Sequence, residues 1–334
     1  METTEYRKIF RDIIRGYSEV YIRDQKYYIK HLTSIDQVAI DEIRSSYYDK
    51  AISRGIPPLS EVLEDLNKEG LWTNKDESEI KRLELFIEQA QKTKSELVLK
   101  SQIDKQNESI QETRKKTQEL QSKRQELLGA NAEDYADKRS NDYYIIKSFY
   151  TDKELKTRVF PEEKDYNDLY VDEISDFVSC YNNIFKMFEE LKIQEMILQD
   201  FYYIYFPFSD DTVGFFGNPV CHLTYNQLKL IVYTKIFKNI FENNSHIPEK
   251  IKKDPQALLD YGSVSNEAKE KMKNQLSKDG DATTLFGATA EDYEYAGLEN
   301  PNDKPGISLQ KAAEKKGGSL SMEDLMELSG HRPK

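Results

Sequence analysis

Residues 76–128 read DESEIKRLELFIEQAQKTKSELVLKSQIDKQNESIQETRKKTQELQSKRQELL, a long and charged run. Ile80, Leu83, Ile87 and Ala90 fall in one heptad-like row and Ile103, Ile110, Leu120 and Leu127 in another. Apolar residues at that spacing line one face of a helix. The rows are sparse, and polar Gln106, Thr113 and Thr117 occupy seam positions in the second. The pattern therefore predicts an antiparallel helical hairpin leaning on itself rather than a strong parallel coiled-coil dimer, with its turn near residues 98–101, where the rows change phase.

Toward the N-terminus, Tyr6, Ile9, Phe10, Ile13, Ile14 and Tyr17 sit at helical spacing and predict an amphipathic helix ending near Gly16. The period then changes. Glu19-Val20-Tyr21-Ile22-Arg23 and Lys26-Tyr27-Tyr28-Ile29-Lys30 are rich in β-branched and aromatic residues, which predicts a small hairpin with Asp24-Gln25 between its strands. Ser34 and Gln37 are spaced as a capping box opening a helix that runs to Arg54. Gly55 and Pro57-Pro58 stop it before a shorter helix over 60–69, closed by Gly70, with Leu71-Trp72 as a plug between helices.

Beyond the charged run, Gly129 ends the arm and Asn131 begins a new helix, followed by the aromatic-rich stretch of Tyr143, Tyr144, Ile145, Ile146, Phe149 and Tyr150. Further helices are expected at 171–190, 192–206 and 225–243, the last opened by Thr224 with Gln227. Pro207, Gly214, Gly217 and Pro219 mark a bend between the last two. After Tyr261 apolar residues thin out and no independent core is expected. The fold class is mainly α, divided as an N-terminal helix, β-hairpin and short helices over 1–75, a charged helical hairpin arm over 76–128, an aromatic-rich helical core over 129–261 and a flexible tail over 262–334.

That tail ends in Leu320, Met322, Leu325, Met326 and Leu328, punctuating 319–329 between a Ser321 cap and a Gly330 stop. These five are the candidate partner-binding residues, on a short amphipathic helix of the helix-in-groove kind. The alternatives are a segment that folds back on its own domain, or an accidental apolar cluster.

Composition narrows the function. The 334 residues are 38% hydrophobic and 32% charged, with a formal charge of −12, 22 Tyr, 15 Phe and one Trp. That charge repels a phosphate backbone or an anionic membrane, so neither nucleic acid nor membrane is an expected partner. Cys180 and Cys221, far apart and without a CxxC spacing, suggest small core residues in a reducing compartment rather than a disulfide framework or zinc cluster. The acidic, polar N-terminus does not read as a signal peptide, and no apolar run reaches the length of a membrane span, so a soluble intracellular protein is expected. No phosphate-cradling glycine loop, dinucleotide fingerprint or calcium-loop spacing occurs, and no cofactor, metal ligand or catalytic residue is assigned.

Two internal echoes remain. Leu127-Leu128-Gly129-Ala130-Asn131-Ala132-Glu133-Asp134-Tyr135 is repeated at 285–293 with two substitutions, Phe286 and Thr289. It reads as a well-formed helix junction reached twice, or as a tail copy competing for the same groove. His31-Leu32-Thr33 and His222-Leu223-Thr224 each precede a helix, and capping accounts for both. Cys221 beside His222 on an extended segment would point to opposite sides and not form a nucleophile pair.

The order of parts resembles that of tail and baseplate assembly proteins of contractile-tailed bacteriophages, in particular tail assembly chaperones and baseplate-hub assembly factors. The resemblance is carried by Val20-Tyr21-Ile22-Arg23 through Lys30-His31-Leu32-Thr33 leading into the helix of Gln37, and by Ser321-Met322-Glu323-Asp324-Leu325-Met326 in a polar tail. It implies a non-enzymatic assembly factor that binds other tail or baseplate proteins, in the host cytoplasm or on the virion. The alternatives are a structural virion subunit and, from a different class, a metal-dependent hydrolase or nuclease using acidic ligands.

Overall fold

Gly16, at φ +73°, stops the first helix one residue after Arg15 and turns the chain into a strand. The computed structural model describes residues 3–263 except 95, 96, 98, 245 and 246. Helix α1 (Thr3–Arg15) buries Tyr6, Ile9 and Ile13. Strands β1 (Tyr17–Ile22) and β2 (Gln25–Lys30) pair antiparallel, with Tyr17 opposite Lys30 and Ile22 opposite Gln25. The loop is therefore Arg23-Asp24, one residue earlier than expected. Both residues take positive φ, +47° and +64°, the mirror-image turn that matches strand twist. Arg23 is held there by Asp172 and Asp176, each at 2.6 Å. A third strand, β3 (Phe149–Tyr150), pairs with β2 and was not anticipated.

Helix α2 (Ser34–Ser53) is capped one residue before the expected position. Extended Thr33 accepts from the Asp36 amide, and Asp36 accepts from the Thr33 amide at 2.9 Å. Burial penalises the Asp36 carboxylate, yet Lys30 at 2.7 Å and the Thr33 amide hold its pKa below the ordinary range. Gln37, released from capping, binds Asp41 and Tyr144 instead. Helix α3 (Leu59–Glu69) ends in left-handed Gly70, after which Trp72 is buried and Leu71 stays exposed, so only the tryptophan plugs the joint.

The charged run forms α4 (Asn74–Lys94) and α5 (Lys100–Leu128), an antiparallel pair as expected. Its seam holds Ile80, Ala90, Ile103 and Ile110, while Leu83, Ile87 and Leu120 are half-buried. Leu127 is exposed and its neighbour Leu128 is buried, because the end of α5 packs sideways on α3. Seam Thr113 and Thr117 are also buried, and their hydroxyls donate to the carbonyls of Ser109 and Thr113. Helix α6 (Ala132–Ser148), capped by Asn131, runs antiparallel along α2.

The remaining helices are α7 (Glu163–Asn167), α8 (Val171–Met187), α9 (Glu190–Ile197), α10 (Thr212–Phe216), α11 (Tyr225–Asn243), α12 (Glu249–Lys252) and α13 (Pro255–Ser263). The helix expected over 192–206 is shorter, since α9 ends at Ile197 and a 3-10 helix follows over Tyr203–Asp210. The break lets Tyr202 turn fully inward and bond Thr234 at 2.8 Å. Pro207 lies inside the 3-10 helix.

Three apolar cores form among the described residues. The largest joins α1, α9, α11, α12 and α13 with Leu99 and Ile103 from the turn end of the α4/α5 pair. A second lies beneath the sheet and receives Ile145, Phe149, Phe160 and Phe177. The third joins Leu66, Trp72, Ile80 and Leu128. Among the described residues no helix is long and apolar enough to cross a membrane. The tail copy at 285–293 and the residues Leu320, Met322, Leu325, Met326 and Leu328 lie outside the described residues.

Candidate functional site

The two His-Leu-Thr segments, separated by about 190 residues, meet each other. Thr33 and Thr224 form an isolated antiparallel bridge, and the Tyr225 amide donates to the Leu32 carbonyl at 3.2 Å. Each threonine also caps the helix that follows it, with Gln227 completing the box at Thr224 as expected. Helices α2 and α11 thus leave one shared corner.

Beside that corner opens a cleft of about 780 Å³, lined by the end of β2 and the start of α2, by α6, by α8 and by the first turns of α11. Its volume and mixed walls suit a ligand or a partner side-chain cluster. His31 lies in the wall and is 6% exposed. Its Nε2 pairs with the Ser18 hydroxyl at 2.9 Å, and its ring meets Phe188 edge-on with centroids 4.6 Å apart. Nδ1 has no hydrogen-bond partner. Burial lowers the imidazole pKa to about 3, so it is neutral at physiological pH.

The opposite wall is aromatic. Tyr144 donates to Gln37 at 2.9 Å, and Tyr181 stacks on Phe185 at 6.0 Å and 21°. Burial pushes the Tyr181 hydroxyl up to about 12. At the rim Phe185 is 61% exposed and Tyr225 41%. Tyr225, Lys229, Val232 and Ile236 share one face of α11, since successive residues turn by 100°. Val232 and Ile236 are exposed, so the cleft continues into an apolar stripe with Lys229 at its centre.

Ser18, whose hydroxyl bonds His31, is fully buried and does not line the cleft. Nearby Asp12 is 1% exposed, and burial raises its pKa against the partial relief from Arg11. Among the described residues no group of three His, Cys, Asp or Glu side chains is placed to hold a metal ion. Cys221, expected in the core, is exposed on a 3-10 turn (Val220–His222) beside exposed His222, because this turn connects surface segments. Cys180 is half-buried on α8 and burial raises its thiol pKa.

The five residues assigned to partner binding lie outside the described chain, while the cleft residues Phe185, Tyr225 and Lys229 were not singled out from sequence. The 4-3-4 spacing of Tyr225, Lys229, Val232 and Ile236 was visible; its exposure depends on which other face α11 buries. The first nine-residue echo forms a tight joint with α2 and α3: the Ala132 amide donates to the Pro57 carbonyl, Glu133 accepts from the Leu59 amide at 2.7 Å, and Tyr135 rests against Tyr47. No protein-family model, curated protein or solved structure matches this chain.

Proposed function

We propose that the protein is a non-enzymatic assembly factor that binds other proteins of a contractile phage tail or baseplate, acting in the host cytoplasm. The observation that supports protein binding is the open cleft beside the α2/α11 corner, which leaves Phe185 and Tyr225 in solvent, with exposed Val232 and Ile236 further along the same face of α11. A contiguous apolar patch of this kind, rimmed by polar groups, is typical of a partner-binding surface. The tail and baseplate assignment rests on the order of parts in the sequence, a small hairpin leading into a helical body and a polar tail with a terminal apolar segment.

The test is affinity purification of the full chain from producing cells, followed by mass spectrometry, with the double variant Phe185→Ser/Tyr225→Ser in parallel. Recovery of identified tail or baseplate proteins with the wild type, at least tenfold reduced with the variant, supports the proposal. Their absence from the wild-type sample overturns it. Purified particles separate the two assembly roles: an assembly factor is missing from them, whereas stoichiometric presence identifies a structural virion subunit.

A further inference from the structure

We infer that the cleft and its α11 stripe hold the chain's own C-terminal segment, residues 319–329, in the protein free of partners. The inference goes beyond the assembly reading, because it concerns the isolated chain and needs no second protein.

The first ground is shape. Tyr225, Lys229, Val232 and Ile236 lie within about 60° of one another around α11, and Phe185 of α8 lines the same cleft as Tyr225 and Lys229. A groove with walls on two helices takes an amphipathic segment that presents apolar residues at i, i+3 and i+4. Met322, Leu325 and Met326 carry that spacing. On the same helical projection Glu323, Asp324 and Glu327 gather on the opposite side, leaving the apolar face free to enter.

Charge is the second ground. Residues 319–329 hold three acids and no lysine or arginine, in a chain of formal charge −12. Most of the surface repels such a segment. The stripe instead offers Lys229, which has no ion-pair partner among the described residues and stands between apolar neighbours. The same lysine disfavours a second copy docking face to face, since a two-fold contact over this stripe brings Lys229 toward its own counterpart.

Reach is the third. Gly262, in the last described helix, packs directly on Ile240 of α11. From Ile240 back to Tyr225 is about 22 Å at 1.5 Å per residue. The tether of about 55 residues between the last described position and the segment spans several times that distance when extended. Contact within one molecule needs no encounter with a second chain, so a groove contact of modest strength can be filled.

The experiment uses the full chain with a photoreactive phenylalanine analogue at position 185, an exposed site whose change leaves the fold intact by its melting temperature. Irradiation of the dilute monomer is expected to join position 185 to peptides from 319–329, with a yield independent of protein concentration. Leu325→Asp/Met326→Asp should reduce that yield at least tenfold. Lys229→Glu should lower it severalfold, and adding Glu323→Lys should restore part of the loss. A monomer that shows no adduct to 319–329, or a yield that rises in proportion to concentration, overturns the inference. Neither outcome bears on whether tail proteins are recovered from cells.

Discussion

Between pH 6.5 and about 3 the imidazole of His31 sets a slope in the stability of the fold. In the unfolded chain it takes a proton near its ordinary 6.5, whereas burial holds the folded value near 3. The unfolded state therefore binds the extra proton first, and stability falls as pH drops through this window. At pH 5 the loss is about 2 kcal/mol relative to neutral pH, from 1.36 kcal/mol per pH unit. Asp12 works with the opposite sign: its raised folded pKa means that acidification toward the ordinary 3.8 favours the folded state. His31→Gln, which keeps a polar group within reach of Ser18 but does not titrate, should flatten the curve between pH 7 and 5 by about that amount in urea denaturation series. An unchanged slope would mean that the imidazole is not held neutral in the fold. The sequence displayed both His-Leu-Thr copies and the Thr224 box, because caps are written in four consecutive residues. It did not display that Thr33 and Thr224 bridge, nor that His31 is buried while His222 is exposed, since those depend on partners far away in the chain.

Long periodic elements were legible because a helix writes its period locally, and α4, α5, α6 and α11 lie close to where the spacing put them. Departures occur where tertiary contacts overrule local pattern. Leu128 replaces Leu127 in the core next to α3, Tyr202 breaks α9 by turning inward, and Phe149–Tyr150 leaves a helix to join β2. The α4/α5 pair shows what a polar seam contributes. Thr117 is 6% exposed and its hydroxyl is satisfied by the Thr113 carbonyl, which is already part of the helix ladder. Thr117→Val removes that hydroxyl without stranding a partner, and should raise stability by about 0.5–1 kcal/mol in urea denaturation. The turn end behaves differently. Lys94 reaches Asp260 at 2.7 Å, and Asn107 and Gln256 donate to the same carboxylate. The side chains of Lys94 and Asp260 are 16% and 9% exposed. Asp260→Ala leaves the ammonium nearly buried without its counter-ion, keeping its hydrogen bond to Asn107 Oδ1 at 3.1 Å, and should cost about 3 kcal/mol, discounted from the fully buried case for residual solvent. Faster amide exchange in residues 90–107 of that variant would locate the loss at the turn; a loss below 0.5 kcal/mol would show that the cluster does not hold the turn down.

At the scale of the molecule the chain makes a closed circuit. It leaves the sheet along α2, crosses at α3, comes back along α4 to the largest core, then retreats along the roughly 43 Å of α5 and returns along α6 to pair β3 with β2. In sequence, residues 76–128 read as a charged helical hairpin arm. In the structure both of its ends belong to cores, Leu99 and Ile103 in one and Ile80 and Leu128 in another, so it acts as a strut between them. Its two ends at α3 lie side by side, joined by the Arg124–Glu77 ion pair at 2.5 Å, so a short Gly-Ser linker can replace 76–128 without stretching the chain. An appendage removed in this way would leave the melting temperature unchanged. A strut takes with it two buried side chains of the largest core, each worth about 2–4 kcal/mol, and strands Asp260 without Lys94. The deletion should therefore lose on the order of 5 kcal/mol or more, enough to consume most of a typical domain's stability. Circular dichroism should show a much lower or less cooperative melting transition, and residues of α13 should become the first to exchange their amides, because they face the place the turn vacated.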